Sequence, residues 1–414
     1  MHNSITDPKK FPTQQQMELY ALLMVKMGIN LQKGMRVVLQ APTFAWDFVR
    51  LLTETCYKEG ALRVYHEFTD DVLTGIQLRY GGLEAAEYPG YEMDFFLDKF
   101  RDNGAYIRLY SPIPHALDDV PQNVVDAYTV SKTIARKEIQ RIVGDFASPW
   151  LIAVYPNLPW ARQVYPDLND EAALAKLWQD LFDFTFVTGG RPLEALERLI
   201  LESHDRVEKL NAFAFEKLVY SSPTADLTIQ LPKGHVWNGG AEMTAGGVRC
   251  MANIPTAEVY TSPAKYGVNG WVKNTKPLVN DGILIDDFRL TFKDGKVVDW
   301  NCGKGEGQLR AILTADEGSS YLGEVALVPV DSPLAKAGAV YYNTLLDENA
   351  SCHLALGDSF ALSLSADADP QERAKLNHSD KHVDFMIGSA ELDIRGVCAD
   401  GKEVQIFHKG LWAF

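Results

Sequence analysis

Apolar residues recur at helical spacing from Thr13 to Gly28, with Met17, Tyr20, Leu23 and Met24 on one side, and this period predicts an amphipathic helix. Beyond Gly34, the β-branched run at 35–40 predicts a strand. Residues 46–59 read as a second helix, stopped by Gly60 and followed by a strand over 62–66. Further strands are expected at 106–110, 150–155 and 184–188, with helical stretches between them. Such alternation implies parallel strands joined by crossover helices, an open α/β sheet.

After a long helical pattern over 192–217 the period changes. The runs 218–220, 225–231 and 290–292 alternate as strands do, and Asp294-Gly295 and Asp400-Gly401 each sit between β-rich runs as tight hairpin turns. Gly239-Gly240 and Gly246-Gly247 punctuate a loop region. The pattern therefore predicts an N-terminal α/β domain over 1–212 and a β-rich α+β domain over 213–414. A chain of 414 residues is long enough for two such cores.

Composition narrows the function. The first strand is followed by no G-x-G-x-x-G, and no G-x-x-x-x-G-K-[ST] occurs, which argues against a dinucleotide or P-loop site. The formal charge of −15, from 40 basic and 55 acidic residues, disfavours nucleic acid and anionic membranes as partners. No apolar run reaches membrane-spanning length, and residues 1–11 lack a signal-peptide core, so the expected location is the cytoplasm. The five cysteines are scattered and form no Cys-x-x-Cys pair, the usage of a reduced protein without a zinc finger.

Metal-ligand residue types gather in four segments of the second half, at 252–261, 321–328, 346–357 and 377–388. Glu324 stands among Leu322, Val325, Ala326, Leu327 and Val328, where a bare carboxylate carries a steep desolvation cost unless a cation or hydrogen bonds offset it. His382 and Asp384 alternate on an expected strand and so point to one face. A pair of divalent ions needs about six protein donors, with carboxylates to bridge them. Glu258, Glu324, Glu348, His353, His382 and Asp384 supply such a set, and oxygen and imidazole donors without thiolate suit zinc, cobalt or manganese. Cys352, beside His353, has no evident activating base and reads as a small buried filler.

Taken together, N-I-P-T-A-E-V-Y-T at 253–261, L-G-E-V-A-L-V at 322–328, D-E-N-A-S-C-H-L-A-L-G at 347–357 and H-V-D-F-M-I-G at 382–388 resemble the thermophilic metalloaminopeptidase family, the aminopeptidase T type. The resemblance extends to G-I-N-L-Q-K-G at 28–34 and so covers most of the chain. It implies two divalent ions per chain on the same six residues, release of N-terminal residues from peptide substrates, and a homodimer. Glu258 and Glu324 are the expected catalytic carboxylates, one bridging and one moving protons.

Two positions depart from the family pattern. Ala257 stands where the family usually has a second glutamate. Phe360 stands where it usually has a tyrosine, seven residues after His353. Loss of a hydroxyl that stabilises an oxyanion costs about 2.7–4 kcal/mol of barrier. Phe360 therefore motivates an alternative, a catalytically impaired relative that binds peptides on a metal-stabilised scaffold. A further alternative is a metallohydrolase of another small amide.

Overall fold

The computed structural model describes residues 11–100, 104–254, 256–280 and 283–414. The N-terminal residues read above for a leader lie, except for Phe11, outside the described residues, as does Pro255 of the first motif. The chain forms two units, one of Met1–Glu197 with Ala241–Pro255, the other of Arg198–Gly240 with Thr256–Phe414. The division falls inside the long helix Pro192–Phe213 rather than at the expected 212.

The first unit holds an all-parallel sheet. Its strands run in the order Asn253–Ile254, Trp150–Val154, Gly104–Tyr110, Arg36–Pro42 and Arg63–Thr69. Four of them are the strands read from the apolar runs. The fifth is contributed by the stretch 241–255, which no sequence cue assigned to this sheet. The first helix, Gln14–Leu23, opens with a capping box in which Thr13 and Gln16 satisfy each other's backbone N–H groups.

The strand expected over 184–188 is absent. The helix Asp170–Phe184 runs through its start, and residues 185–190 form turns. Phe182 and Phe184 are buried on that helix and Val187 just beyond it, so the apolar run belongs to the end of a helical face. A short apolar run of this kind fits either period.

The second unit is built on two antiparallel sheets. The larger places Lys217–Ser222 and Ala225–Gln230 at its centre, flanked by Val268–Lys273, Ile283–Lys293, Asp393–Val397 and Glu403–His408. Asp294 and Gly295 both take positive φ in the turn joining Ile283–Lys293 to Lys296–Lys304, as a tight hairpin requires. The smaller sheet has five strands, in the order His382–Met386, His353–Gly357, Leu322–Leu327, Val259–Thr261 and Asn238–Gly239. One core joins the two sheets. Leu218, Tyr220, Leu227, Ile229, Leu290 and Ile394 from the larger sheet pack with Val325, Leu327, Leu354, Leu356, Val383 and Phe385 from the smaller. Among the described residues, no helix is long and apolar enough to cross a membrane.

Candidate metal centre

Register places the chemistry on one face of the smaller sheet. Tyr260 pairs with Ala326, Ala326 with His353, and His353 with Met386, so these four form one row across the strands. Glu324, Ala355 and Asp384 form the next row, and His382 lies opposite Gly357. Cross-strand partners and alternate residues share a face. Glu258 precedes its strand by one residue and Tyr260 by two, which brings it to the same face. The other face carries Val259, Val325, Leu327, Leu354, Leu356, Val383 and Phe385 into the core. Small side chains at Ala326 and Ala355 leave room among the longer donors.

A β-bulge lies immediately before Glu324. Leu322 pairs with Leu356 and Glu324 with Ala355, so two steps on one strand match one on its neighbour. In an unbroken strand Leu322 and Glu324, two residues apart, would share a face. With the bulge between them, Leu322 joins the core while Glu324, two residues before Ala326, stays on the donor side. Gly323 is the extra residue, and a β-carbon there would run into the carbonyl oxygens of Asp358 and Gly357. A glycine inside an apolar strand is a recognised bulge signal, and it went unread in the sequence.

All six expected donors lie in the second unit, and five of them converge in two triples. Glu258, Glu324 and His353 offer ligand atoms within 4.8 Å of one another, as do Glu324, His382 and Asp384. Glu324 is common to both. His382 Nε2 lies 3.0 Å from Glu324 Oε2 and 3.3 Å from Asp384 Oδ1, and His353 Nε2 lies 3.4 Å from Glu258 Oε2. The sixth, Glu348, belongs to neither triple and is buried at the end of the short helix Thr344–Glu348.

The imidazoles are oriented from behind. His353 Nδ1 lies 3.1 Å from the carbonyl oxygens of both Glu348 and Ser351, and His382 Nδ1 lies 2.9 Å from that of Asp358. A carbonyl only accepts, so each Nδ1 carries the proton and donates it. Each Nε2 then faces the carboxylates with a lone pair available whenever the ring is neutral, the arrangement that orients metal-binding histidines.

Four carboxylates and two imidazoles in so small a space cannot all take their ordinary charge states. Burial, with Asp384 and Glu258 nearby, pushes the Glu348 carboxyl well above the usual range. Burial also raises Glu324, with Asp384 adding to the shift against the opposing His382 hydrogen bond. Burial pulls the His353 imidazole down, but the hydrogen bond and charge of Glu258, with the charges of Glu324 and Asp384, together outweigh it and carry the pKa up to about 10. Asp384 and Glu324 raise His382 in the same way against its burial, and His382 in turn holds Asp384 low. Asp384 apart, these directions agree: left to itself, the cluster gathers protons to offset concentrated negative charge.

Two divalent cations carry the charge that four carboxylates would balance, and they match the donor set chemically. Asp384 Oδ1 is buried without a hydrogen-bond partner. Cys352 is turned away, its Sγ donating to the Val328 carbonyl at 3.3 Å and its pKa raised by burial to about 12, which leaves it an inert filler. The residues therefore fit hard-to-borderline divalent ions held by oxygen and imidazole.

Comparison with known proteins identifies the family of the chain. Residues 13–412 match the model of the family described as thermophilic metalloprotease (M29). The chain is 40% identical over 411 residues to "Aminopeptidase 2" of Geobacillus stearothermophilus, covering 97% of this chain and 98% of that protein. It is 38% identical over 405 residues to "Aminopeptidase AmpS" of Bacillus subtilis, covering 97% and 99%. The solved structure of wild-type AmpT from Thermus thermophilus superposes with a TM-score of 0.91 at 36% identity, covering 97% of this chain and all of that one.

Proposed function

The chain belongs to the thermophilic metalloprotease (M29) family, and from that premise we propose that it is a metal-dependent aminopeptidase that releases N-terminal residues from peptides with the help of two divalent ions. The observation that carries the two-ion reading is Glu324, shared by two donor triples on one sheet face. Glu258 and His353 would hold one ion, His382 and Asp384 the other, with Glu324 between them and Glu348 completing the set. When bound, zinc, cobalt or manganese ions supply Lewis acidity toward a peptide carbonyl and a lowered pKa for attacking water.

The protein's own groups do the rest. The backbone carbonyls of Glu348, Ser351 and Asp358 keep both Nε2 atoms turned to the site. Glu258 is the carboxylate we assign to proton transfer from water to the leaving amine nitrogen. Its side chain is 13% exposed, against 5% for Glu324, and its segment lies outside the strand, so it reaches both water and substrate. Glu324, on the donor face with Ala326, would hold both ions. The resemblance further implies a homodimer in the cytoplasm, which light scattering of the purified protein and cell fractionation test.

The deciding experiment is hydrolysis of aminoacyl chromogenic substrates by protein as isolated, after chelation, and after return of zinc, cobalt or manganese. Activity that vanishes with chelation and returns with metal is expected. Phe360 favours a second reading, a peptide-binding relative. Two bound ions with no hydrolysis of any substrate in the panel would support that reading and overturn the first.

A further inference from the structure

Two donor-bearing segments meet through a single buried amide. Asn349 follows Glu348 directly and has no exposed surface. Its Oδ1 accepts from the backbone N–H of Ala257, the residue before Glu258, at 2.9 Å. Its Nδ2 donates to the carbonyl of Leu345, in the helix that ends at Glu348, at 3.0 Å. Its backbone carbonyl accepts from Ser332 Oγ at 3.3 Å. The side chain thus spends an acceptor on one segment and a donor on the other, across 92 residues of sequence.

Neither segment is tied to the other by regular secondary structure, although the Asp347 carboxylate accepts from the N–H groups of Tyr341 and Asn343 at the start of the helix. Residues 256–258 lie ahead of the strand Val259–Thr261, so the sheet ladder does not fix the backbone at Ala257. The helix Thr344–Glu348 has five residues, too few for intrinsic stability. Yet these segments carry Glu258 and Glu348, whose like charges repel. The carbonyl of Glu348 also orients His353, so the position of this helix bears on a third donor.

Building on the two-ion reading, we propose that Asn349 is a positioning residue: a cross-brace that sets Glu258 and Glu348 against each other and so determines affinity at the Glu258–Glu324–His353 triple. Among the described residues, Asn349 makes no hydrogen bond to the segment of His382 and Asp384, and the Glu324–His382–Asp384 triple is predicted to be indifferent to loss of the Ala257 bond.

Two variants test the brace. Asn349→Ala removes both side-chain bonds. In Asn349→Ser the hydroxyl can still bond the carbonyl four residues back, Leu345, but cannot span to Ala257. The serine variant therefore cuts the brace while keeping the helix bond, and it decides the matter should the alanine variant not fold. Metal-free protein is titrated with zinc against a chromogenic chelator, and thermal unfolding of each metal-free form is recorded beside it.

The expected result is a loss of about 10–100-fold in affinity for one zinc, the range for residues supporting a metal ligand. The other zinc should be held as in the unaltered protein, whatever the change in unfolding temperature. Two zinc affinities unchanged in Asn349→Ser, even with a lowered unfolding temperature, would reduce Asn349 to a structural role and overturn the proposal while leaving the aminopeptidase reading intact. Failure of the unaltered protein to bind two ions would overturn both.

Discussion

Gly323 lies so close beneath the carbonyl of Asp358 that a β-carbon there would collide with its oxygen. That same oxygen accepts the hydrogen bond of His382 Nδ1. One glycine thus serves two ends. It forms the bulge that sends Leu322 to the core while Glu324 keeps the donor face, and its bareness lets Asp358 reach down to orient His382.

Gly323→Ala is predicted to fold with a stability loss of about 1–3 kcal/mol, the usual cost of overpacking. Its metal affinity should fall about 10–100-fold, because the support of His382 is displaced. Chemical denaturation and zinc competition measure the two effects separately. Affinity at the unaltered value would show that the Asp358 carbonyl adjusts without moving His382.

Replacement of the shared carboxylate is expected to cost more than displacement of a supporting group. Glu324→Gln keeps the shape but removes the charge common to both triples. Turnover of a chromogenic substrate should drop by more than about a hundredfold, beyond the range for supporting residues. Bound metal, counted by atomic emission, should fall below the number held by the unaltered protein. Full activity in this variant would take Glu324 out of the shared position.

The apolar and polar periods revealed four of the five strands of the parallel sheet and the change from an α/β to a β-rich unit, because period reports which face is buried. The donors were legible for a related reason. A charged side chain in a run such as that around Glu324 is costly enough to demand a partner. The relations that build the site were not legible. The Asp358 carbonyl behind His382 and the Asn349 bridge to Ala257 depend on which distant segments meet, whereas the bulge at Gly323 had a local signal that was passed over. The helical end of the 182–187 run and the return of 241–255 to the first sheet were missed for the same cause.

The stability of the metal-free protein should depend steeply on pH. His353 has its pKa raised from 6.5 to about 10 in the folded state, so its contribution is complete below about 6.5 and is lost as pH rises through about 10. Burial raises the carboxyl of Asp347 from 3.8 to about 6, and those of Glu324 and Glu348 move the same way. A raised carboxyl pKa also means that the folded state binds more protons, so stability again falls as pH rises through it. Asp384, held low, has the opposite sign and adds stability above its unfolded pKa that is lost at the acid end. Unfolding temperature without metal should therefore decline from about pH 5 to about pH 10. Saturating zinc should flatten the decline above neutrality by replacing protons as the counter-charge. A flat profile without metal would mean that the cluster does not hold protons as inferred.

The ring of Phe360 lies 4.9 Å from that of His382 and 5.4 Å from that of Tyr260, so this residue stands beside one triple without offering it a polar group. Phe360→Tyr adds one neutral donor at that place with little change in volume. If transition-state stabilisation in this enzyme lacks such a donor, kcat should rise by up to about a hundredfold, the scale of one oxyanion contact. KM should change little, because a group that acts only in the transition state leaves ground-state binding alone. Zinc content should not change, since Phe360 ligates nothing. An unchanged kcat with zinc intact would mean that the hydroxyl is already supplied elsewhere. Tyr260→Phe is then the discriminating variant, because Tyr260 shares the donor face through its pairing with Ala326. A fall in kcat there, without loss of zinc, would assign the role to Tyr260. If both Phe360→Tyr and the unaltered protein hold two zinc ions and cleave nothing, the peptide-binding reading is the one that survives.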